Sequence, residues 1–179
     1  MHLRPYNEQT DFTYIAQWIR DERTHVLWCA NLLSYPLAKD EFHNYLIKQN
    51  LFFCWQSECQ VSQNVKDHDG AYVYADENDH PVGFFIYTVS KQDKSGFMRF
   101  IMVDNTVRGK GYGTTMLREL QRFAYEKTDV NSLRLIVFDV NIAARKCYEK
   151  AGFSAIENLS DTFSYRDETW RRCMMEHIK

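Results

Sequence analysis

The stretch that most constrains this chain is Val103-Asp104-Asn105-Thr106-Val107-Arg108-Gly109-Lys110-Gly111-Tyr112-Gly113-Thr114-Thr115-Met116-Leu117. Before it, Phe97 to Val103 is apolar enough to be a buried strand. After it, Met116, Leu117, Leu120, Phe123 and Ala124 recur at helical spacing. The glycines therefore fall in a strand-to-helix turn. Three of the chain's seven glycines, Gly109, Gly111 and Gly113, lie there. They remove side chains where backbone N–H groups point outward, and they permit positive φ. A helix N-terminus carries orphan N–H donors and the positive end of the dipole, so it favours an anion such as a pyrophosphate. Arg108 and Lys110 add positive charge at the same point. The plainer alternative is a flexible turn ahead of an ordinary amphipathic helix. The clustering, flanked by strand and helix, favours the anion cradle.

The spacing excludes two familiar cradles. A P-loop places four residues between its first glycine and Gly-Lys-Ser/Thr, and a dinucleotide turn starts directly after the strand as Gly-x-Gly-x-x-Gly. Here Asp104 to Arg108 intervene and the pattern is Gly-x-Gly-x-Gly. Arg108-Gly109-Lys110-Gly111-Tyr112-Gly113 instead resembles the Gln/Arg-x-x-Gly-x-Gly/Ala signature of the GNAT superfamily of acyl-CoA-dependent N-acyltransferases. Asn141-Ile142-Ala143-Ala144-Arg145-Lys146-Cys147-Tyr148-Glu149-Lys150-Ala151-Gly152-Phe153 resembles the second signature of that superfamily. The resemblance runs from about Ala71 to Phe153, and the two motifs together are far more specific than either alone.

The 179 residues suit one domain with its own core, spanning 1–179, and a hydrophobic content of 45% agrees. A net charge of -2 provides no global basic field for nucleic acid or acidic membranes. The five cysteines, Cys29, Cys54, Cys59, Cys147 and Cys173, are odd in number and form no Cys-x-x-Cys. Buried reduced thiols are expected, with neither a disulfide framework nor a metal site. Met1 to Tyr6 lacks the apolar run of a signal peptide, and no run approaches the ~20 apolar residues of a membrane span. A cytoplasmic protein is expected, with its oligomeric state open.

Along the chain, Leu3 to Tyr6 reads as a short strand. Thr10 or Asp11 can cap a helix carrying Phe12, Ile15, Ala16 and Ile19 on one face and ending near Asp21 to Thr24. His25 to Tyr35 shows no clean period, and Pro36 marks a break. Asp40 to Gln49 reads as a second helix. Leu51 to Trp55 is an apolar patch, and Gln56 to Asp69 a polar loop in which His68 and Asp69 read as solvated surface rather than a catalytic pair. Ala71 to Ala75 and Val82 to Val89 form a hairpin around the Asp76 to Pro81 turn. Gly83 signals a bulge or a close backbone approach. Lys91 to Gly96 turns the chain into the Phe97 to Val103 strand. The cradle helix follows, from about Gly111 to Lys127. Leu133 to Phe138 is then a strand parallel to the cradle strand. Asn141 to Ala151 is a helix stopped by Gly152. Phe153 to Glu157 and Glu168 to Glu176 read as closing strands, with Asn158 to Arg166 between them. The expected fold is α/β: a mostly antiparallel mixed sheet with one parallel pair and helices on both faces.

The resemblance implies an N-acetyltransferase that uses acetyl-CoA as cosubstrate and a primary amine as acceptor. It implies that Arg108, Gly109, Lys110, Gly111, Tyr112, Gly113 and Thr114 receive the pyrophosphate. Met102 and Val103 on one side and Asn141 on the other would hold the pantetheine arm, which can pair like a short extra strand. An N–H near Val103 would polarise the thioester carbonyl. Asn141 also fits a helix N-cap, and the two roles are compatible. Tyr148 is the candidate general acid for the leaving thiolate, because a phenol is protonated at neutral pH. The region of the first helices would wall the acceptor site, which makes Trp18, Trp28, Tyr35 and Phe42 candidates for specificity, with packing in the core the commoner role. No carboxylate lies on Phe97 to Val103, where many relatives carry one, and Arg99 is its only charge. Asp104 and Asp139 follow strand ends and suit turns or caps, so no base is assigned. A CoA-binding sensor that has lost its chemistry is the alternative.

Overall fold

The parallel pair expected beside the cradle lies in the middle of a seven-stranded sheet. The computed structural model describes residues 1–51 and 68–179. In chain order the elements are β1 (His2–Pro5), α1 (Phe12–Trp18), α2 (Glu22–Cys29), α3 (Lys39–Lys48), β2 (Gly70–Ala75), β3 (Pro81–Ser90), β4 (Ser95–Val103), α4 (Tyr112–Lys127), β5 (Ser132–Phe138), α5 (Ile142–Lys150), β6 (Ser154–Tyr165) and β7 (Glu168–Ile178). The strand order is β1-β2-β3-β4-β5-β7-β6. Among the described residues only β4 and β5 run parallel; the other neighbours are antiparallel. The expected mixed α/β sheet is therefore present.

Alternation along the strands sends side chains to two cores. On one face Tyr72, Tyr74, Phe85, Tyr87, Met98, Leu133, Leu135 and Val137 pack with Met116, Leu117 and Leu120 of α4 and Tyr148 of α5. On the other, Ala71, Val73, Phe84, Ile86, Phe100 and Met102 pack under Ile15 and Trp18 of α1, Trp28 of α2 and Phe42 and Leu46 of α3. Gly83 on β3 is a close approach: an added Cβ would lie 2.5 Å from Met116 Sδ. Leu51 closes α3 onto the sheet, donating its N–H to the Leu46 carbonyl at 2.9 Å and accepting from the Ala71 N–H at 3.0 Å. Cys29 and Cys173 are buried free thiols and Cys147 is half-buried. The apolar patch from residue 52 onward, the polar loop to residue 67, Cys54 and Cys59 lie outside the described residues.

Three expectations are corrected. α1 ends at Trp18, and Asp21 caps a separate helix, α2, by accepting from the Thr24 N–H at 2.7 Å. His25 to Tyr35 shows no period because α2 is buried on two sides. Trp28 and Cys29 join the α1–α3 core while Val26 joins a small cluster with Phe138, Tyr165 and Trp170. No single apolar stripe results. β6 runs on to Tyr165 rather than stopping near Glu157. Its pairing with β7 shifts register between Ala155 and Glu157 and again between Asn158 and Thr162, which breaks the alternation that would have revealed the strand. Asp69, expected in solvent, is buried, and its carboxylate accepts from the Val89 N–H at 2.6 Å.

The β1–α1 corner depends on one buried carboxylate. Asp11 is fully buried and accepts from Arg4 Nη1 at 2.7 Å, Arg4 Nη2 at 2.9 Å, the Asn7 N–H at 2.7 Å and Thr10 Oγ1 at 3.0 Å. Asp11→Ala leaves the Asn7 amide unpaired and half of the Arg4 fork uncompensated. We expect a loss of about 3 kcal/mol in denaturant unfolding. A change below about 1 kcal/mol would mean that the corner is held by packing alone.

Candidate active site

The sheet parts at the end of the parallel pair. β4 pairs with β5 from Ser95 opposite Ser132 to Met98 opposite Leu135, and the pairing stops there. Beyond it β4 continues on β3 alone as far as Val103, and β5 on β7 alone as far as Phe138. The local cause is a bulge in β4. Phe84 pairs with Met102 and Ile86 with Arg99, so Phe100 and Ile101 together face Phe85. Phe100 takes φ +54°, an uncommon conformation for a bulky residue. Helix α2 holds it there: Trp28 Nε1 donates to the Phe100 carbonyl at 2.7 Å, and the two rings lie 4.9 Å apart. Tyr45 of α3 stacks on the Phe100 ring from the other side, at 5.3 Å and 20°. The bulge turns β4 away from β5 and opens a wedge in the sheet.

The glycine turn stands at the β4 side of that wedge. Asp104 fixes its start by accepting from the Thr106 N–H at 2.8 Å and Thr106 Oγ1 at 2.9 Å. Gly109 and Gly111 take φ +79° and +90°, and an added Cβ at either would meet open space. Gly111 is the N-cap of α4; no side chain caps the helix and no acidic residue lies in its first turn. The N–H groups of Gly111 to Thr114 have no partner among the described residues, so they present the orphan donors of a helix start to solvent. Two arginines converge beside them. Arg108 Nε donates to the Val103 carbonyl at 3.3 Å, and Arg20 Nη2 donates to Asn105 Oδ1 at 2.9 Å. Desolvation and then the Arg20 charge lower the Arg108 pKa, as expected where a cation stands beside another cation. Lys110 is exposed at the same turn. Arg20 was not legible in the sequence, because it reaches the cradle from the α1–α2 connection across 85 positions.

Gly113 has a packing role beside the free amide it presents at the helix start. An added Cβ there would lie 2.9 Å from Cys147 Sγ, so this glycine lets α4 approach α5. Thr114 points the same way, with Oγ1 3.7 Å from that sulfur. Tyr112 is half-buried against the α4 core. Met102 turns its side chain into the α1–α3 core and Val103 toward the α4 core, so only their backbone can face the wedge.

The far side of the wedge is the start of α5. Asn141 is its N-cap, with Oδ1 accepting from the Ala144 N–H at 3.3 Å. Two turns on, Tyr148 is buried in a T-shaped contact with Phe153, 6.4 Å between centroids. Its hydroxyl has no hydrogen-bond partner among the described residues, and burial pushes its pKa upward. Tyr148 thus keeps a protonated phenol in the α4-side core, on the helix that Asn141 caps.

Other candidates lie elsewhere or are already occupied. Trp18, Trp28 and Phe42 are core, and Tyr35 is exposed beside His25. Asp139 Oδ1 accepts from the Val140 N–H at 2.9 Å and the Arg171 N–H at 3.0 Å, a capping role like that of Asp104. His68 and Asp69 sit by Val89, at the closed end of the sheet where Val89 pairs with Gly96. No group of three or more His, Cys, Asp or Glu that could hold a metal occurs among the described residues. No helix among them is long and apolar enough to cross a membrane.

The Trp28 bond gives this geometry a direct check. Trp28→Phe keeps a ring but leaves the buried Phe100 carbonyl without its donor. We expect a loss of about 1–3 kcal/mol in unfolding and altered amide shifts at Phe100 to Val103 by NMR. Unchanged shifts there would show that the bulge does not depend on α2.

The architecture agrees with what comparison finds. A model of the Acetyltransferase (GNAT) family matches residues 33–153. The spermidine N-acetyltransferase of Vibrio cholerae, solved with CoA and spermine, superposes with a TM-score of 0.74 at 17% identity, covering 98% of this chain and 94% of that one. An aminoglycoside acetyltransferase solved with coenzyme A gives 0.67 at 18% identity, covering 99% and 94%. A GNAT-family acetyltransferase from Bacillus anthracis gives 0.71 at 10% identity, covering 98% and 93%. At these identities the likeness is one of fold, whereas the family model covers most of the chain, including both glycine turn and α5. The chain belongs to the GNAT acetyltransferase family.

Proposed function

We propose that this protein, as a single domain over residues 1–179, transfers an acetyl group from acetyl-CoA to a primary amine, with Tyr148 as general acid. The observation that carries the reading is the wedge between β4 and β5. It has an uncapped helix start flanked by Arg20, Arg108 and Lys110 on one side and, on the other, the α5 start at Asn141, the helix that carries Tyr148. An acyl-CoA has the matching parts. Its pyrophosphate suits the α4 amides and the two arginines. Its pantetheine amides suit the unpaired edge of β4 past Met98. The relatives of this fold solved with CoA, spermine or an aminoglycoside complex are in keeping with both substrates. The cytoplasmic setting belongs to the same proposal.

In the reaction the amine nitrogen attacks the thioester carbonyl carbon. The C–N bond forms, negative charge grows on the carbonyl oxygen, and a backbone N–H of β4 near Val103 stabilises it. The C–S bond then breaks, the Tyr148 hydroxyl gives its proton to the sulfur, and the amine proton leaves to solvent. Burial raises the Tyr148 pKa above its ordinary value near 10, so the phenol stays protonated throughout the neutral range. Loss of this acid by deprotonation is therefore expected only in strongly alkaline solution. No carboxylate stands on β4 to serve as base, and an amine that arrives neutral or loses its proton to water needs none.

Mass spectrometry after incubation with acetyl-CoA and an amine panel tests the reaction. Acetylated product is expected, and none from any amine would favour the sensor. Two variants separate binding from chemistry. Tyr148→Phe keeps the ring and deletes the donor. Single-turnover transfer at saturating acetyl-CoA should slow by roughly 10²–10⁴-fold with little change in affinity. Rates within about threefold of wild type would remove Tyr148 from the acid role.

Gly111→Asp puts a carboxylate at the helix start, and Gly111→Ala imposes the same φ strain without the charge. By calorimetry the Asp variant should bind acetyl-CoA at least about tenfold more weakly than the Ala variant, since several amide–phosphate bonds worth about 1.5–3 kcal/mol each are at stake. Equal affinities would take the pyrophosphate away from this turn.

A further inference from the structure

Arg99 is the residue that neither the core nor the cradle accounts for. It lies on β4 opposite Ile86, on the face covered by α1 to α3, at the first position past the last β4–β5 pair. It is half-buried. Among the described residues its buried Nε has no partner, and its one hydrogen bond is a long one of 3.4 Å from Nη1 to the Tyr45 hydroxyl. Arg4 is neutralised by Asp11 and Asp79, Arg134 by Asp93 and Glu176, and Arg172 by Asp161, whereas Arg145 on α5 shares an orphaned buried Nε with Arg99 but lies off the β4 face. Among the described residues Arg99 has no carboxylate partner. A guanidinium drawn partly out of water with an empty donor is costly unless something supplies the missing acceptor.

The surroundings say what that acceptor is. Leu133, Leu135 and Val137 face the α4 core, so Ile136 faces the other way, across the wedge from Arg99. Ile136 is 39% exposed, and its neighbour Met174 on β7 is only half-buried. A charged fork with a phenol beside it on β4 thus faces an open apolar strip on β5 and β7, at the point where the sheet begins to part.

We infer that this face binds the acceptor and that the acceptor is a small primary amine carrying its own carboxylate, which pairs with Arg99 while its apolar part lies on Ile136 and Met174. The inference rests on the acetyl-transfer reading and gives that site a substrate class. Carboxylate geometry matches the guanidinium fork, and Tyr45 can donate a further hydrogen bond. The same cation repels polyamines and other polycations, which present only positive charge here.

The test sets amino acids against their decarboxylated amines, with spermidine included, and follows both acetyl transfer and binding to the CoA-loaded protein by calorimetry. Wild type is expected to prefer each acid by roughly 10- to 100-fold, mainly in KM. Arg99→Gln should abolish the preference, and Arg99→Lys should keep part of it. Preference for spermidine or the decarboxylated amines in wild type, or an acid preference that survives Arg99→Gln, overturns the inference. Acetylation of all amines alike overturns it while leaving acetyl transfer standing. Acids that bind wild type but not Arg99→Gln, without any turnover, support the site and refute the transfer. Absence of both binding and turnover of the acids overturns the site as well.

Discussion

The structure depends on one buried hydrogen bond and the bulge it holds. With Phe100 at φ +54° and its carbonyl tied to the Trp28 indole, β4 carries one residue more than β3 opposite it. Without that extra residue β4 would have no cause to leave β5 after Met98, and a continuous ladder would fill the space that now parts. The bond also explains why α2 is needed. A helix of eight residues is marginal alone, and it is stabilised here by burial on two sides, which lets it deliver Trp28 to the bulge. Packing, strand irregularity and the opening of the site are thus one connected arrangement.

Charge is divided across the wedge in a consistent way. On the α4 side the helix start, Arg20, Arg108 and Lys110 present positive charge without a nearby acid in the first turn. On the α5 side Asn141 and Tyr148 are neutral, and Tyr148 is kept so by burial. Cationic groups would thus hold the large anionic substrate while the reacting end meets a desolvated, neutral donor. The absence of a β4 carboxylate fits this division, since an acid beside Arg99 would neutralise it.

Much of this was legible in the sequence, for particular reasons. The Phe97–Val103 strand, the glycine turn and the α4 periodicity are local patterns, and they located the strand-to-helix turn and the parallel pair. Asn141 and Tyr148 share a helix face by spacing alone. What was hidden depends on contacts between distant positions. α2 has no stripe because two clusters bury it. β6 loses its alternation to register shifts. The close approach of Gly113 to Cys147 joins α4 to α5 across 34 positions and has no local signal. Arg20 and the Trp28–Phe100 bond join segments many positions apart, and no local period encodes either of them.

The central claim is that acetyl-CoA occupies the wedge with its pyrophosphate on the α4 start. Backbone amide NMR during titration with acetyl-CoA tests it most directly. The account predicts large, saturable shifts at Gly109 to Thr114 and at Phe100 to Val103, with the Asp69 and Val89 amides at the closed end of the sheet little changed. Saturable shifts confined to that closed end, or none at the α4 start, would contradict it.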